Sequence, residues 1–188
     1  MLQNKNIVII GGTTGLGLSA AQAFLQQGAR VVAVGPDPAT NQQAQETLGT
    51  SALVLGGDAT QENTAVQAID QCRSTWGSLD GLYHVAGGSG RRMGDGPLHE
   101  MSLEGWQQTL DLNLTSVMLS NRAAIRAFLE AGLVDELLLY VAPVMLGERA
   151  RPLFEGLHID AMTERLKMQI IETRRIGDDV RVLLQPQP

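Results

Sequence analysis

The sequence predicts an α/β fold, a doubly wound sheet in three α/β/α layers, and three observations carry that prediction. Short β-branched runs alternate with helical stretches through residues 1–131. The runs lack polar alternation, which marks strands covered on both faces. The repeated βα units then require right-handed crossovers into a largely parallel sheet.

The elements follow in order. Residues 7–10 (Ile-Val-Ile-Ile) form the first strand and run into the turn Gly11-Gly12-Thr13-Thr14-Gly15-Leu16-Gly17. Residues 19–27 form a helix with Ala20, Ala21, Phe24 and Leu25 on one face and Gly28 as its stop. Residues 31–34 are the second strand, followed by a Gly35-Pro36-Asp37-Pro38 turn. Residues 42–48 form a short helix ending at Gly49, and residues 52–55 the third strand. A helix over 60–76 begins at Thr60, and 81–85 is the fourth strand, leading into a glycine-rich loop through Pro97. Residues 103–131 read as one long helix.

Beyond Gly132 the character changes. Residues 137–141 form a fifth buried strand, and 143–165 an irregular connection containing Pro143, Gly147, Pro152 and Gly156. Residues 166–175 and 180–185 flank Ile176-Gly177-Asp178-Asp179, the pattern of a hairpin. No flexible linker interrupts the chain, so one domain over 1–188 with one continuous sheet is expected.

Composition bounds the function. The chain has 188 residues, a net charge of −6 and 44% hydrophobic residues. Without a basic stripe it lacks a nucleic-acid footprint. No run approaches the ~20 apolar residues of a membrane span, and no leader is read at the start. Cys72 is the single cysteine, which rules out an intrachain disulfide. A reducing, cytoplasmic setting is expected. His84, His99 and His158 lack paired ligand spacing, so no metal site is expected.

Gly11, Gly15 and Gly17 lie between a strand and a helix. That context allows a tight turn, close backbone approach to a pyrophosphate, and a helix N-terminus aimed at the phosphates. A nicotinamide dinucleotide is the expected partner.

Residues 1–128 resemble a short-chain dehydrogenase/reductase. The glycine loop corresponds to that family's threonine- and glycine-rich loop. Asp58, in Gly57-Asp58-Ala59-Thr60, matches the family's aspartate that meets the adenine amino group. His84-Val85-Ala86-Gly87-Gly88 occupies the family's Asn-Asn-Ala-Gly place, with His84 and Val85 replacing both asparagines. Leu110-Asp111-Leu112-Asn113-Leu114 matches the helix of the catalytic asparagine. The resemblance implies cofactor contacts at Gly11, Thr13, Thr14, Gly15, Leu16, Gly17, Asp58, Ala59, Ala86 and Gly87.

Cofactor choice stays open between NAD and NADP, since Gly35 and Pro36 stand where an acidic residue or an arginine would decide it. The family's proton donor is a tyrosine with a lysine four residues on. Here Tyr83 is followed at that spacing by Gly87, and Tyr140 by Val144. Of the family's four catalytic residues only Asn113 remains, and it reads better as a helix hydrogen-bonding residue. His84 reads as local hydrogen bonding, and Arg91-Arg92 as a solvated loop.

Residues 127–188 resemble the C-terminal part of the riboflavin-biosynthesis reductase domain, whose fold is dihydrofolate-reductase-like. The matching segments are Phe128 to Leu137, Ala142-Pro143-Val144-Met145-Leu146-Gly147, Arg151 to Leu157 and Ile176 to Arg181. The resemblance implies that the last strand inserts antiparallel beside the fifth, giving the order 3-2-1-4-5-7-6 in a Rossmann-like sheet. Both families pair through surfaces present here, which implies a homodimer.

The two resemblances together read as a chimera joined inside the long helix, with a 1–128 and a 129–188 fragment. The leading function is NAD(P)H binding on an oxidoreductase-derived scaffold with weak or no catalysis. The alternatives are an active NAD(P)H-dependent reductase of a carbonyl or pteridine-like substrate, and a structural chimera without a ligand.

Overall fold

The computed structural model describes residues 2–144 and 161–187. The chain forms two compact units, Met1–Ala127 and Phe128–Pro188.

The first unit is built on a parallel four-stranded sheet. Strand β1 (Asn6–Ile10) lies between β2 (Arg30–Gly35) and β4 (Gly81–His84), and β3 (Ala52–Gly56) lies outside β2. The order β3-β2-β1-β4 is the one expected, with Ile7 opposite both Val31 and Gly81. Every residue of β1 is buried, and Val8, Ile9, Ile10, Val31, Val32 and Val34 are at most 2% exposed. Burying each such side chain contributes about 1.5–3 kcal/mol. The outer strands β3 and β4 are only partly buried, because each has a single neighbour.

Several helices begin earlier or later than the sequence predicts, each for a local reason. Helix α1 (Gly15–Gln26) starts within the glycine turn rather than at 19, since its first turn needs no apolar face. Helix α2 (Pro38–Leu48) starts four residues before its expected position: Pro38 sits at N1 with φ already suited to a helix, and the Asp37 carboxylate accepts from Thr40 N at 2.9 Å. Helix α3 (Glu62–Trp76) starts later, because Thr60 N and Oγ1 are both bonded to the Asp58 carboxylate in an Asx turn. It buries Ala65, Ala68, Ile69 and Cys72, a stripe at helical spacing.

The long helix expected over 103–131 is divided. Helix α4 (Leu103–Leu110) passes through a π-helical turn at Asp111–Thr115 into α5 (Ser116–Glu130). The wider turn admits one extra residue without breaking the rod, and apolar periodicity does not reveal it.

The second unit contains an antiparallel sheet of β5 (Leu137–Val141), β7 (Asp179–Pro186) and β6 (Met168–Ile176), in that order. The order 5-7-6 and the antiparallel sense of β7 are as expected. A two-residue turn with Gly177 at φ +62° closes the hairpin, a conformation that costs glycine little. A register irregularity between Ile170 and Glu172 interrupts the β6 ladder, on the side of the sheet that has no further neighbour. Glu172 pairs with Arg181 across the ladder at 2.7 Å and with Arg174 at 3.0 Å.

The single seven-stranded sheet is not formed: the 3-2-1-4 and 5-7-6 runs are separate, and β4 and β5 share no ladder. The physical reason lies in β5, where only Leu137 and Leu139 are partly buried while Leu138, Tyr140 and Val141 are exposed. A strand half-exposed along its length has the pattern of an antiparallel sheet with an open face, not of a parallel strand covered on both. The expected connection over 143–165, with His158, falls mostly on residues 145–160, outside the described ones. No helix among the described residues is long and apolar enough to cross a membrane.

Candidate functional site

The C-terminal ends of the parallel strands open into a cavity of about 380 Å³. Its lining includes Gly11, Thr13, Thr14, Gly15, Leu16 and Gly17 from the loop after β1, Asp58 and Ala59 after β3, and Ala86 and Gly87 after β4. All ten residues singled out in the sequence for cofactor contact therefore meet in one cleft. Pro36, Gly57 and Leu112 also line it. Pro36 and Gly57 were within reach of sequence reasoning, as each follows the last residue of a parallel strand. Leu112 was not, because its position depends on the π turn.

The loop after β1 is fastened from below. Gly11 N and Gly12 N both donate to Val34 O at 2.9 Å, which ties the turn to the end of β2. Ala86 N and Val85 N donate to Ile10 O at 2.8 and 2.9 Å, which ties the β4 loop to the end of β1. Gly17 is enclosed: a Cβ there would meet Gly11 O and, at 2.8 Å, Val85 Cγ1. Gly15 is the opposite case, with φ at +50° and nothing within 4 Å of where a Cβ would stand. One glycine lets α1 approach β1 closely, and the other leaves room above the loop.

Electrostatics favour an anion here. Thr14, the N-cap of α1, makes no side-chain capping bond, and the first turn holds no acidic residue. The unpaired N–H groups and the positive end of the helix dipole thus face the cleft with no carboxylate in the helix's own first turn to neutralise them. Asp58, exposed and held in its Asx turn, is the only charged residue in the lining among the described residues.

Asn113 stands in the π turn and reaches the loop after β4. Its Oδ1 accepts from Gly88 N at 3.1 Å, and its Nδ2 donates to Gly88 O at 2.6 Å and to Thr109 O at 2.8 Å. Both ends of the amide are engaged with backbone, which makes Asn113 a brace of the loop carrying Ala86 and Gly87.

His84 is likewise used locally. One ring nitrogen, Nε2, lies 3.0 Å from Ala86 O, and Nδ1 lies 2.6 Å from Ser120 Oγ. The carbonyl can only accept, so in the neutral ring Nε2–H donates to it; the single Ser120 hydroxyl proton lies between two acceptors, Nδ1 and the Ser116 carbonyl, the latter also at 2.6 Å. Burial holds the imidazole pKa below its ordinary value, against the opposing pull of the Ala86 carbonyl. The folded state therefore binds fewer protons than the unfolded state just below the ordinary histidine value. Stability from His84 is present above about pH 6.5 and is lost as pH falls through the lowered folded value. Thermal melts from pH 7.5 to 5 should show that loss, and His84→Gln should flatten it; an identical slope in the variant would contradict this account.

The remaining candidates lie elsewhere. Tyr83 is 39% exposed on β4, edge-on to Phe24 at 6.1 Å between ring centroids. Tyr140 lies on β5 in the second unit, opposite Arg181. Arg91 and Arg92 form a short exposed 3₁₀ turn in a loop pinned by Gly90 N to Thr109 Oγ1 at 3.1 Å and by Ser102 Oγ to Met93 O at 2.9 Å. No group of three or more His, Cys, Asp or Glu residues placed to hold a metal occurs among the described residues.

Comparison with known proteins agrees with this geometry. The short chain dehydrogenase family model matches residues 5–134, and the RibD C-terminal domain model matches residues 113–182. The chain is 33% identical over 132 residues to 2-(S)-hydroxypropyl-CoM dehydrogenase 3 of Xanthobacter autotrophicus, covering 69% of this chain and 50% of that one. It is 31% identical over 129 residues to cis-4-hydroxycyclohexanecarboxylate dehydrogenase of Sinomonas cyclohexanicum, covering 66% and 50%. A short-chain type dehydrogenase/reductase from Mycobacterium ulcerans superposes with a TM-score of 0.63 at 29% identity, covering 69% of this chain and 48% of the other. The chain spans about half the length of these relatives. With a Rossmann-like parallel sheet and a family match over most of its length, it belongs to the short-chain dehydrogenase family and carries a RibD C-terminal-like segment after it.

Proposed function

We propose that the first unit binds a nicotinamide dinucleotide, with its pyrophosphate over the N-terminus of α1. The observation that carries this reading is the convergence of the ten loop residues on one cleft beside an uncapped helix end with no carboxylate in its first turn. Gly11 to Gly17 would hold the pyrophosphate, Asp58 and Ala59 the adenine, and Ala86 and Gly87 the nicotinamide side.

The lining also bears on the choice of cofactor. No lysine or arginine occurs between Val31 and Cys72, and Asp58 is the only charge in the cleft among the described residues. A 2′-phosphate would have no cation to meet there, whereas a ribose hydroxyl requires none. Titration followed by fluorescence of Trp76 and Trp106 should show NADH binding about tenfold or more tighter than NADPH, a difference of roughly 1.4 kcal/mol. Absence of saturable quenching with either would remove the proposed function; tighter NADPH binding would remove the cofactor choice alone.

Turnover should be weak. Neither tyrosine has a lysine four residues on, and Asn113 is committed to Gly88. General acid–base help worth roughly 10²–10⁴ in rate is missing from this reading. Reduction of a carbonyl panel with NADH should stay near background, and robust turnover would overturn the point. The overlap of the two family matches across 113–134 supports an origin by joining of two parents within α5. The reading also includes a cytoplasmic, homodimeric protein: light scattering should give twice the 20.2 kDa chain mass.

A further inference from the structure

The second unit contains a larger cavity than the dinucleotide cleft, about 580 Å³, at the end of the sheet where β5 and β6 begin and β7 finishes. Small-molecule sites fall within roughly 300–1,000 Å³. Its walls are mostly apolar: Leu129, Val134, Leu137, Leu166, Met168 and Pro186 all line it. The backbone at its rear is satisfied, since the β6–β7 ladder ends at Met168 opposite Pro186 and Gln187 N donates to Lys167 O at 2.8 Å. An occupant need not complete that ladder.

The charges are one-sided. Arg165 and Lys167, flanking Leu166 in sequence, are the only charged residues in the lining among the described residues. This is a chain with 20 acidic against 14 basic residues, so a lining whose described residues include two cations and no carboxylate departs from its average. Arg165 donates from one guanidinium nitrogen to Met162 O, which fixes the position of its head and leaves its other N–H groups for an anion. Lys167 makes no ion pair among the described residues.

We propose that this cavity is a binding site for a small amphiphilic carboxylate, an alkyl or aryl acid. Its head would meet Arg165 and Lys167, and its body would cover Leu137, Leu166 and Met168. The complementarity excludes the neighbouring chemistries. A fully polar anion such as phosphate would leave the apolar walls wet, and a neutral alcohol would leave the two cations without a counter-charge.

The test is calorimetric titration of the full chain with octanoate, octanol, octylamine and inorganic phosphate. Octanoate should bind saturably, one per chain, and about tenfold or more tighter than any of the other three. The octanoate affinity should fall with added salt, since partly exposed charges are screened. Arg165→Gln/Lys167→Gln should weaken octanoate about tenfold without changing octanol, and Leu166→Asn should weaken both. Equal binding of octanoate and octanol, a salt-independent octanoate affinity, or an unchanged affinity in the folded double variant would each overturn the proposal. The salt series uses the unsubstituted protein, so it decides the matter even where a variant fails to fold.

Discussion

Gly15→Val is expected to abolish NADH binding in a protein that still folds. Nothing lies within 4 Å of where a Cβ at Gly15 would stand, so the side chain starts in open space. Its cost to folding comes from the backbone, because φ is +50° and a non-glycine residue there loses about 1–2 kcal/mol. The space it fills is the one the pyrophosphate needs, above the uncapped start of α1. A loss of about a hundredfold in affinity, roughly 2.8 kcal/mol, is the expected reading in a fluorescence titration. A folded variant that binds NADH as tightly as the parent would take the loop out of the site.

Gly17→Ala should give the reverse signature, failing first in stability. A methyl group at Gly17 collides with Gly11 O and lies 2.8 Å from Val85 Cγ1. Neither neighbour can withdraw cheaply: Gly11 N is bonded to Val34 O, and Val85 N to Ile10 O, so both sit on the parallel sheet. Helix α1 would have to lift from β1, where it buries Ala21 in the core beside Ile7, Ile9 and Val31. Overpacking of this kind costs about 3 kcal/mol, a large share of the 5–15 kcal/mol typical of a domain. Urea denaturation would show it as a lowered midpoint, and a midpoint equal to the parent's would mean that α1 does not rest on that contact. The two glycines, two residues apart, thus separate a binding role from a packing role.

What the sequence made legible is what local rules govern. β-branched runs without alternation marked β1 and β2, and both are buried along nearly their whole length. The glycine spacing between a strand and a helix located the cleft, because the need for bare backbone is written in the residue type itself. Ile176-Gly177-Asp178-Asp179 located the hairpin for the same reason, and its positive φ at Gly177 is the one such a turn requires. Element starts were less legible. The proline and its preceding aspartate at the start of α2 were read as a turn, although Asp37 and Pro38 together form a helix cap.

The features that escaped depend on partners distant in sequence. For His84, read as a local hydrogen-bonding residue, what escaped was one of the partners: Ser120 lies 36 positions away, whereas Ala86 is local. The π turn that turns Asn113 toward Gly88 adds one residue to a helix whose apolar stripe reads as continuous. The separation of the two sheets was hidden for a related reason. β5 carries the composition of a buried strand, Leu-Leu-Leu-Tyr-Val, yet Leu138, Tyr140 and Val141 are exposed and its ladder partner is β7. Composition records what a strand could bury, whereas pairing is decided by the edges that the rest of the chain presents.

Joint binding of a nicotinamide dinucleotide by the loops after β1, β3 and β4 is open to amide chemical-shift mapping. Adding NADH to isotope-labelled protein should move the amide signals of Gly11, Thr13 to Gly17, Asp58, Ala59, Ala86 and Gly87 along one saturable titration curve. Residues of β5, β6 and β7 should stay unshifted. Saturable shifts confined to the second unit, or none at any of these loops at millimolar NADH, would contradict it.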